Sequence, residues 1–322
     1  MKLFVTGAAG FIGSNYVRSV MADTDAEVTV FDALTYAGNR ANLAEFEGSS
    51  RFTFVEGDIC NRDDVSAALP GHSHVVHFAA ESHVDRSIMG PDAFISTNVS
   101  GTNVMCDIAR QNEVERFLHI STDEVYGSIE EGSFVESDPL EPRSPYSASK
   151  ASSDLVALAY HETYGLPVVI TRSANQFGPY QFPEKVIPLF VTNLLDGLKV
   201  PLYGDGLNIR DWTYVDDNCR AVQMVLNEGQ VGEVYNIGAG NELTNKELTH
   251  HILARVGAGE EMIEFVEDRL GHDRRYSVDT TKIRAMGWAP EVSLEDALDS
   301  TIEWYTANRS WWEPLKAQVQ NR

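Results

Sequence analysis

Lys2-Leu3-Phe4-Val5-Thr6-Gly7-Ala8-Ala9-Gly10-Phe11-Ile12-Gly13 decides how the rest of the chain is read. A mostly apolar run predicts a buried strand, and glycines at positions 7, 10 and 13 follow it at once. Such a loop turns tightly, lets backbone approach a pyrophosphate and seats the next helix with its positive N-terminus at the anion. The context fits: a helix is predicted from about Phe11 to Met21, then a second strand, Glu27 to Phe31, ending in Asp32. A carboxylate there accepts from ribose hydroxyls and repels a 2′-phosphate, so the expected dinucleotide is NAD, held by Gly7, Gly10, Phe11, Ile12, Gly13 and Asp32.

The alternation continues downstream. Strands are predicted at Arg51 to Val55 and Ser73 to Phe78, with a helix from Arg62 to Leu69 between them. Asp58 and Ile59 end the first of these strands, where they would edge the adenine. A polar loop, Ala79 to Ser87, leads to a long helix from Pro91 to Gln111 carrying Asn98, counted here with the cofactor contacts. Strands at Arg116 to Thr122 and Pro167 to Thr171 flank a helix that ends near Tyr164. Strand after helix after strand predicts an α/β fold with a doubly wound parallel sheet of Rossmann type over residues 1–172. From Arg172 onward Gly, Pro and aromatic residues become dense. A second, smaller α/β substrate-binding lobe is expected over 173–322, with segments near Val200 to Leu202, Asp216 to Leu226, Val234 to Ile237, Asn245 to Val256 and Leu294 to Asn308. No linker separates the two, so some segments should return to the first domain and the lobes should share a cleft.

The stretch from His119 to Lys150 holds the chemistry. Its strand ends in Ser121-Thr122, and Asp123 and Glu124 follow immediately. Ser144-Pro145-Tyr146-Ser147-Ala148-Ser149-Lys150 then opens a helix with Tyr146 and Lys150 four apart, on one face. An ammonium beside a phenol favours phenolate, which would make Tyr146 a usable base. Taken alone, a Tyr-x-x-x-Lys pair is an ordinary helix face; its place downstream of the glycine loop gives it weight.

The 48 acidic against 25 basic residues leave a formal charge of −23, which repels nucleic acid and anionic membrane surfaces. No apolar run is long enough to span a bilayer and no leader precedes the first strand, so a cytoplasmic protein is expected. Cys60, Cys106 and Cys219 are few and scattered, and read as core or bystander thiols. His72, His74, His77 and His83 cluster in sequence, but strand and turn geometry scatters them, so no metal site is expected. Arg210, Arg269, His272, Arg274 and Arg275 fit a second diphosphate, that of a substrate, or else pair with surplus surface carboxylates. The helices at 91–111 and 145–164 carry more apolar face than one sheet needs, which predicts a homodimer.

Together the fingerprint, Asp32, Thr122 to Glu124 and Tyr146/Lys150 resemble the extended short-chain dehydrogenase/reductase superfamily over almost the whole chain. Ala79 to Ser87, Ser121 to Gly127, Pro183-Glu184-Lys185, Tyr203 to Gly206 and Gly271 to Tyr276 are similar to the dTDP-glucose 4,6-dehydratase family. The resemblance implies a hydro-lyase acting on dTDP-glucose with NAD. Tyr146 would take the 4-hydroxyl proton, supported by Lys150 and Thr122; Glu124 would remove the C5 proton and Asp123 protonate the departing 6-hydroxyl. It also implies that Ser82, His83, Asn175, Glu184 and Lys185 serve the sugar site, and that Arg210, Asn245, Arg269, His272 and Tyr276 hold the nucleotide diphosphate. An epimerase or decarboxylase acting on a UDP-sugar is the enzyme alternative, and an NAD-sensing protein without catalysis is the alternative of another class. Asp123 beside Glu124 separates the first reading from both, because only dehydration needs an acid and a base on neighbouring carbons. The sequence departs from the family at Gln176 and Phe177, where Asn and Tyr are usual, and at Ser173-Ala174, which stand in place of residues commonly Cys. The two substitutions at 176 and 177 are expected to bear on nicotinamide packing.

Overall fold

The computed structural model describes residues 1–320. Its first part alternates as expected: β1 (Lys2–Thr6), α1 (Phe11–Asp23), β2 (Glu27–Asp32), β3 (Phe52–Glu56), α2 (Arg62–Ala68), β4 (His74–His77), α3 (Val84–Met89), α4 (Pro91–Phe94), α5 (Thr102–Gln111), β5 (Arg116–Thr122), α6 (Pro145–Tyr164) and β6 (Val168–Ser173). Shorter elements follow: β7 (Asn175–Phe177), α7 (Val186–Leu195), β8 (Val200–Tyr203), β9 (Ile209–Tyr214), α8 (Val215–Glu228), β10 (Val234–Ile237), β11 (Glu242–Thr244), α9 (Asn245–Val256), β12 (Ile263–Val266), α10 (Thr281–Ala285), α11 (Leu294–Ala307) and α12 (Arg309–Gln320).

Seven strands form one parallel sheet in the order β10-β6-β5-β4-β1-β2-β3. The order reverses at β1, and in a doubly wound sheet the crevice opens at the carboxyl ends of the strands flanking such a point. Both faces are covered, as a parallel sheet requires. Tyr16 and Val17 of α1 meet Val222 and Val225 of α8 on one face; Met105 and Ile108 of α5 and Ala157 of α6 fill the other. A separate core of Phe177, Phe190, Trp212, Leu248, Tyr305 and Trp312 holds the later elements together.

β10 and α8 pack on the first sheet although both come after Arg172, with Val234 opposite Ile170. The chain thus leaves the sheet after β6 and comes back to it. The helix predicted across 91–111 runs unbroken, with a π-helical stretch, Ile95–Gly101, between α4 and α5. Apolar spacing does not register the demands of Asn98 in that stretch. Its Oδ1 accepts from Glu81 N at 2.8 Å, and its Nδ2 donates to Glu81 O at 2.9 Å and Ser149 Oγ at 2.8 Å.

α6 is built as its sequence dictates. Ser144 and Ser147 form a reciprocal capping box, Pro145 occupies the first turn where a missing N–H costs nothing, and Gly165 closes the helix at φ 72°. Beneath it, Arg172 Nε donates to the fully buried Asp154 at 2.9 Å, and His119 Nε2 lies 3.3 Å from the same carboxylate. Arg172 Nη1 also donates to Tyr126 Oη, which in turn donates to Asn236 Oδ1, both at 2.8 Å. One chain of polar contacts therefore ties α6, β5, β6 and β10. Asp154→Ala strands a buried guanidinium and is expected to lower stability by about 3–5 kcal/mol, measured by denaturant unfolding.

Candidate active site

One cleft runs over the carboxyl end of the sheet. It is lined by Gly7, Gly10, Phe11, Ile12, Gly13, Asp32, Asp58 and Ile59 at one end, and by Ser82, Thr122, Asp123, Glu124, Tyr146, Lys150, Asn175, Glu184 and Lys185 toward the other. Residues far apart in sequence converge because β1, β2, β3 and β5 all end there.

The glycine end admits no side chains. Gly7 has φ +69°, and a Cβ on it would lie 2.6 Å from Ala79 Cα; a Cβ on Gly13 would lie 2.6 Å from Ala8 Cα. Asp32 is buried, with Oδ2 accepting from Ala9 N at 2.8 Å and Oδ1 from Leu34 N at 2.9 Å. Burial raises its carboxyl and the two N–H groups oppose that rise.

At the other end, Thr122 is the last residue of β5 and caps the short 3-10 turn Asp123–Tyr126. Its Oγ1 accepts from Glu124 N at 3.3 Å and donates to Asp123 Oδ1 at 3.2 Å. Among the described residues, no group hydrogen-bonds the buried Asp123 Oδ2 or Glu124 Oε2. Burial, reinforced by the charge of Glu124, pushes the Asp123 carboxyl up to about 8. Burial also raises Glu124, but Arg269, Arg210 and Lys185 pull it back. Two neighbouring carboxyls thus stand in different environments, one set as an acid and the other as a base.

The phenol does not follow expectation. Burial and the charge of Glu124 raise Tyr146, while a hydrogen bond with Thr122 opposes them. Lys150 lies on the same helical face but donates its ammonium to Ile120 O at 2.8 Å, and burial lowers it to about 8. One of its three N–H donors is thus taken by the backbone of β5.

Arg86, which sequence reasoning passed over, clamps Glu184: Nη2 donates to Oε2 at 2.8 Å, and among the described residues no group hydrogen-bonds the buried Oε1. Lys185 Nζ donates to Ser82 O at 2.9 Å, joining the later elements to the loop after β4. Tyr36, Glu81, Ser121, Gln181 and Phe182 also line the cleft. They lie in loops or at strand ends, where no periodicity marks them; only Ser121 and Glu81 fall within stretches whose type pointed here.

Several expected contacts lie elsewhere. Asn98 faces Glu81 and Ser149 and steadies the loop after β4. His83 caps α3, accepting from Arg86 N, and sits 3.8 Å from Glu184. Arg210, Asn245, Arg269, His272 and Tyr276 do not line the cleft. Arg210 Nη2 donates to Asp273 O at 2.9 Å with its guanidinium 4.1 Å over the Tyr276 ring. Tyr276 Oη donates to Asp273 Oδ2 at 2.8 Å. Arg269 lies 3.7 Å from Asp85, His272 pairs with Asp268 at 2.6 Å, and Asn245 opens α9 with its N–H on Asn208 O. For Arg274 and Arg275 the carboxylate reading holds, with Asp205 and Glu242 as partners. Phe177 is buried against Trp212 and Tyr214, away from the cleft, so its expected effect on nicotinamide packing is corrected; Gln176 does line the cleft.

The family model described as GDP-mannose 4,6 dehydratase matches residues 4–301. A dTDP-glucose 4,6-dehydratase of Streptomyces niveus is 54% identical over 323 residues, covering 98% of this chain and 96% of that protein. The low-salt glycan biosynthesis protein Agl12 of Haloferax volcanii is 54% identical over 305 residues, 95% of this chain and 98% of its own. The crystal structure of DesIV, a dTDP-glucose 4,6-dehydratase from Streptomyces venezuelae solved with NAD bound, superposes with a TM-score of 0.96 at 56% identity, covering 98% of this chain and all of that one. With the glycine cradle, the paired carboxyls and the Tyr146/Lys150 helix in one cleft, these likenesses make the chain a member of the dTDP-glucose 4,6-dehydratase family within the extended short-chain dehydrogenases/reductases.

Proposed function

We propose that the chain is a hydro-lyase that converts dTDP-glucose to dTDP-4-keto-6-deoxyglucose, with NAD as a recycled cofactor. The observation that carries this reading is the pair of carboxyls at Asp123, buried, and Glu124, half-buried, set apart in their hold on a proton and facing the same cleft as Tyr146. Epimerisation of a UDP-sugar at C4 has no use for an acid and a base on adjacent carbons.

The residues present fit the cofactor. A side chain at Gly7 or Gly13 would fill the loop where a diphosphate lies closest, and Asp32 ends β2 where a ribose is held. Asp58 and Ile59 would edge the adenine. Bound NAD supplies an acceptor for the C4 hydride and returns that hydride to C6. Tyr146, as phenolate, receives the 4-hydroxyl proton, with Lys150 and Thr122 supporting the phenolate and the oxygen. Glu124 removes the C5 proton that the 4-ketone acidifies, and Asp123 gives a proton to the departing 6-hydroxyl. Ser82, Asn175, Glu184 and Lys185 order the sugar, Glu184 through the oxygen that Arg86 does not hold. Arg210, Arg269, His272, Asn245 and Tyr276 lie outside the cleft lining and would take the nucleotide diphosphate; the charges of Arg210 and Arg269 already reach Glu124.

Residues 1–172 are read as the NAD-binding domain and 173–322 as the sugar-nucleotide lobe, apart from α8 and β10. The protein is read as a homodimer paired through α6 and the helices beside it, where Met89, Ile95 and Leu155 are 85%, 48% and 59% exposed. The protein is read as cytoplasmic; no helix among the described residues is long and apolar enough to cross a membrane.

Four outcomes test these readings. With dTDP-glucose deuterated at C4 and no added NAD, mass spectrometry should find loss of water with deuterium at C6; unchanged substrate, also with NAD supplied, overturns the assignment. Glu124→Gln should keep NAD while product formation falls by about 10²–10⁴-fold, and undiminished turnover would remove Glu124 from the mechanism. Elimination followed in a single turnover should decline as pH rises through about 8, because Asp123 holds its proton only below that value. Leu155→Arg should shift the species seen by sedimentation from dimer to monomer; an unshifted dimer would place the interface elsewhere.

A further inference from the structure

Three walls of the cleft come from loops: the loop after β2 with Tyr36, the loop after β4 with Glu81, and the segment before α7 with Phe182 and Glu184. Arg86 lines none of them. It nevertheless touches two and stands on α3, which continues the third.

The Arg86 guanidinium lies 3.7 Å over the centre of the Tyr36 ring, and that ring meets Phe182 edge-on with 5.7 Å between centroids. The same guanidinium donates from Nη2 and Nε to Glu184 Oε2, at 2.8 and 3.3 Å. The two side chains are 27% and 6% exposed, so the pair escapes much of the screening that makes surface bridges weak. Its backbone is fixed as well: Arg86 N donates to His83 Nδ1 at 3.4 Å, and Arg86 O accepts from Gly90 N at 2.9 Å. Stacking on a ring while the edge of the same group bonds a carboxylate is a task for a planar guanidinium; an ammonium is a point charge.

The loop bearing Tyr36 is anchored at its ends, where Leu34 N donates to Asp32 Oδ1 and Asn39 N to Ala9 O, both at 2.9 Å. Between those anchors, Tyr36 carries a contact across the cleft. Asp32 belongs to the ribose end and Glu184 to the sugar end, so one side chain ties the two ends together.

We propose that Arg86 is a positioning residue that clasps the cleft shut on the cofactor: through Tyr36 it holds the loop after β2 to the opposite wall, through Glu184 it fixes the sugar end, and the dinucleotide leaves only when this clasp opens. By linkage, sugar nucleotide and cofactor then slow each other's release.

The clasp rests on the reading of NAD as a recycled cofactor, and it is tested first by cofactor exchange with no sugar present, whether or not the chain turns over dTDP-glucose. The full chain is loaded with isotopically labelled NAD and chased with excess unlabelled NAD, and the label left on the protein is followed by mass spectrometry after rapid desalting. Arg86→Met keeps the stem and removes the plane; Tyr36→Ala removes the ring from a different element. Each should release label on the order of tenfold faster than the wild type. The double variant should release it no faster than either single one, because each change removes the same contact. Single variants that exchange at the wild-type rate, or a double variant whose acceleration is the product of the two, would overturn the clasp. Added dTDP-glucose should slow exchange in the wild type and not in Arg86→Met, and equal slowing in both overturns the coupling through Glu184. A wild type that neither converts dTDP-glucose nor responds to it overturns the substrate reading instead, and the exchange rates of the three variants still decide the clasp.

Discussion

Two adjacent carboxyl groups held out of water at the end of β5 set the terms for everything around them. Taking a charge into a poorly solvated site costs free energy unless a partner compensates, and two like charges side by side cost more. Asp123 meets that constraint by keeping its proton, while Arg269, Arg210 and Lys185 make the ionised form of Glu124 tolerable. The asymmetry is not in the two side chains, which differ by a methylene. It lies in the second group of elements, which delivers its cations nearer to one carboxyl than to the other.

This explains why a strongly acidic chain gathers its scarce cations here. Arg86 on Glu184, Arg269 near Asp85 and Lys185 on the loop after β4 are at once structural ties and local corrections to an otherwise negative field. The first sheet supplies rigid strand ends, and the later elements supply the electrostatics. Neither part makes the site alone.

Most of the sheet was legible because a parallel strand buried on both faces is a plain apolar run and because glycines punctuate the first crossover. Val234 to Ile237 and Asn245 to Val256 were predicted with the bounds that the structure shows. β7, α7 and β9 were not: they are short, rich in aromatic residues, or, for α7, carry Pro188 in the first turn, where proline does no harm but masks the helical pattern. In the site, residue types that do chemistry stood out by kind, as Asp123, Glu124 and Tyr146 did. What sequence could not give was who pairs with whom. Lys150 spends one hydrogen bond on a carbonyl and Asn98 spends its amide on a loop, and both choices depend on distances that arise only on folding. Phe177 looked like a cleft residue because Asn175 and Gln176 are, yet its ring is buried against Trp212 and Tyr214.

The return of β10 to the first sheet has a consequence for how the molecule is made. Val234 pairs with Ile170, so β6 keeps an open edge on the ribosome while β7, α7, β8, β9 and α8 are synthesised. An unpaired, apolar edge strand invites the wrong neighbour. Folding of the cofactor-binding half therefore cannot finish as an independent early event, and the nascent chain is most vulnerable to aggregation in the interval before Ile237 emerges.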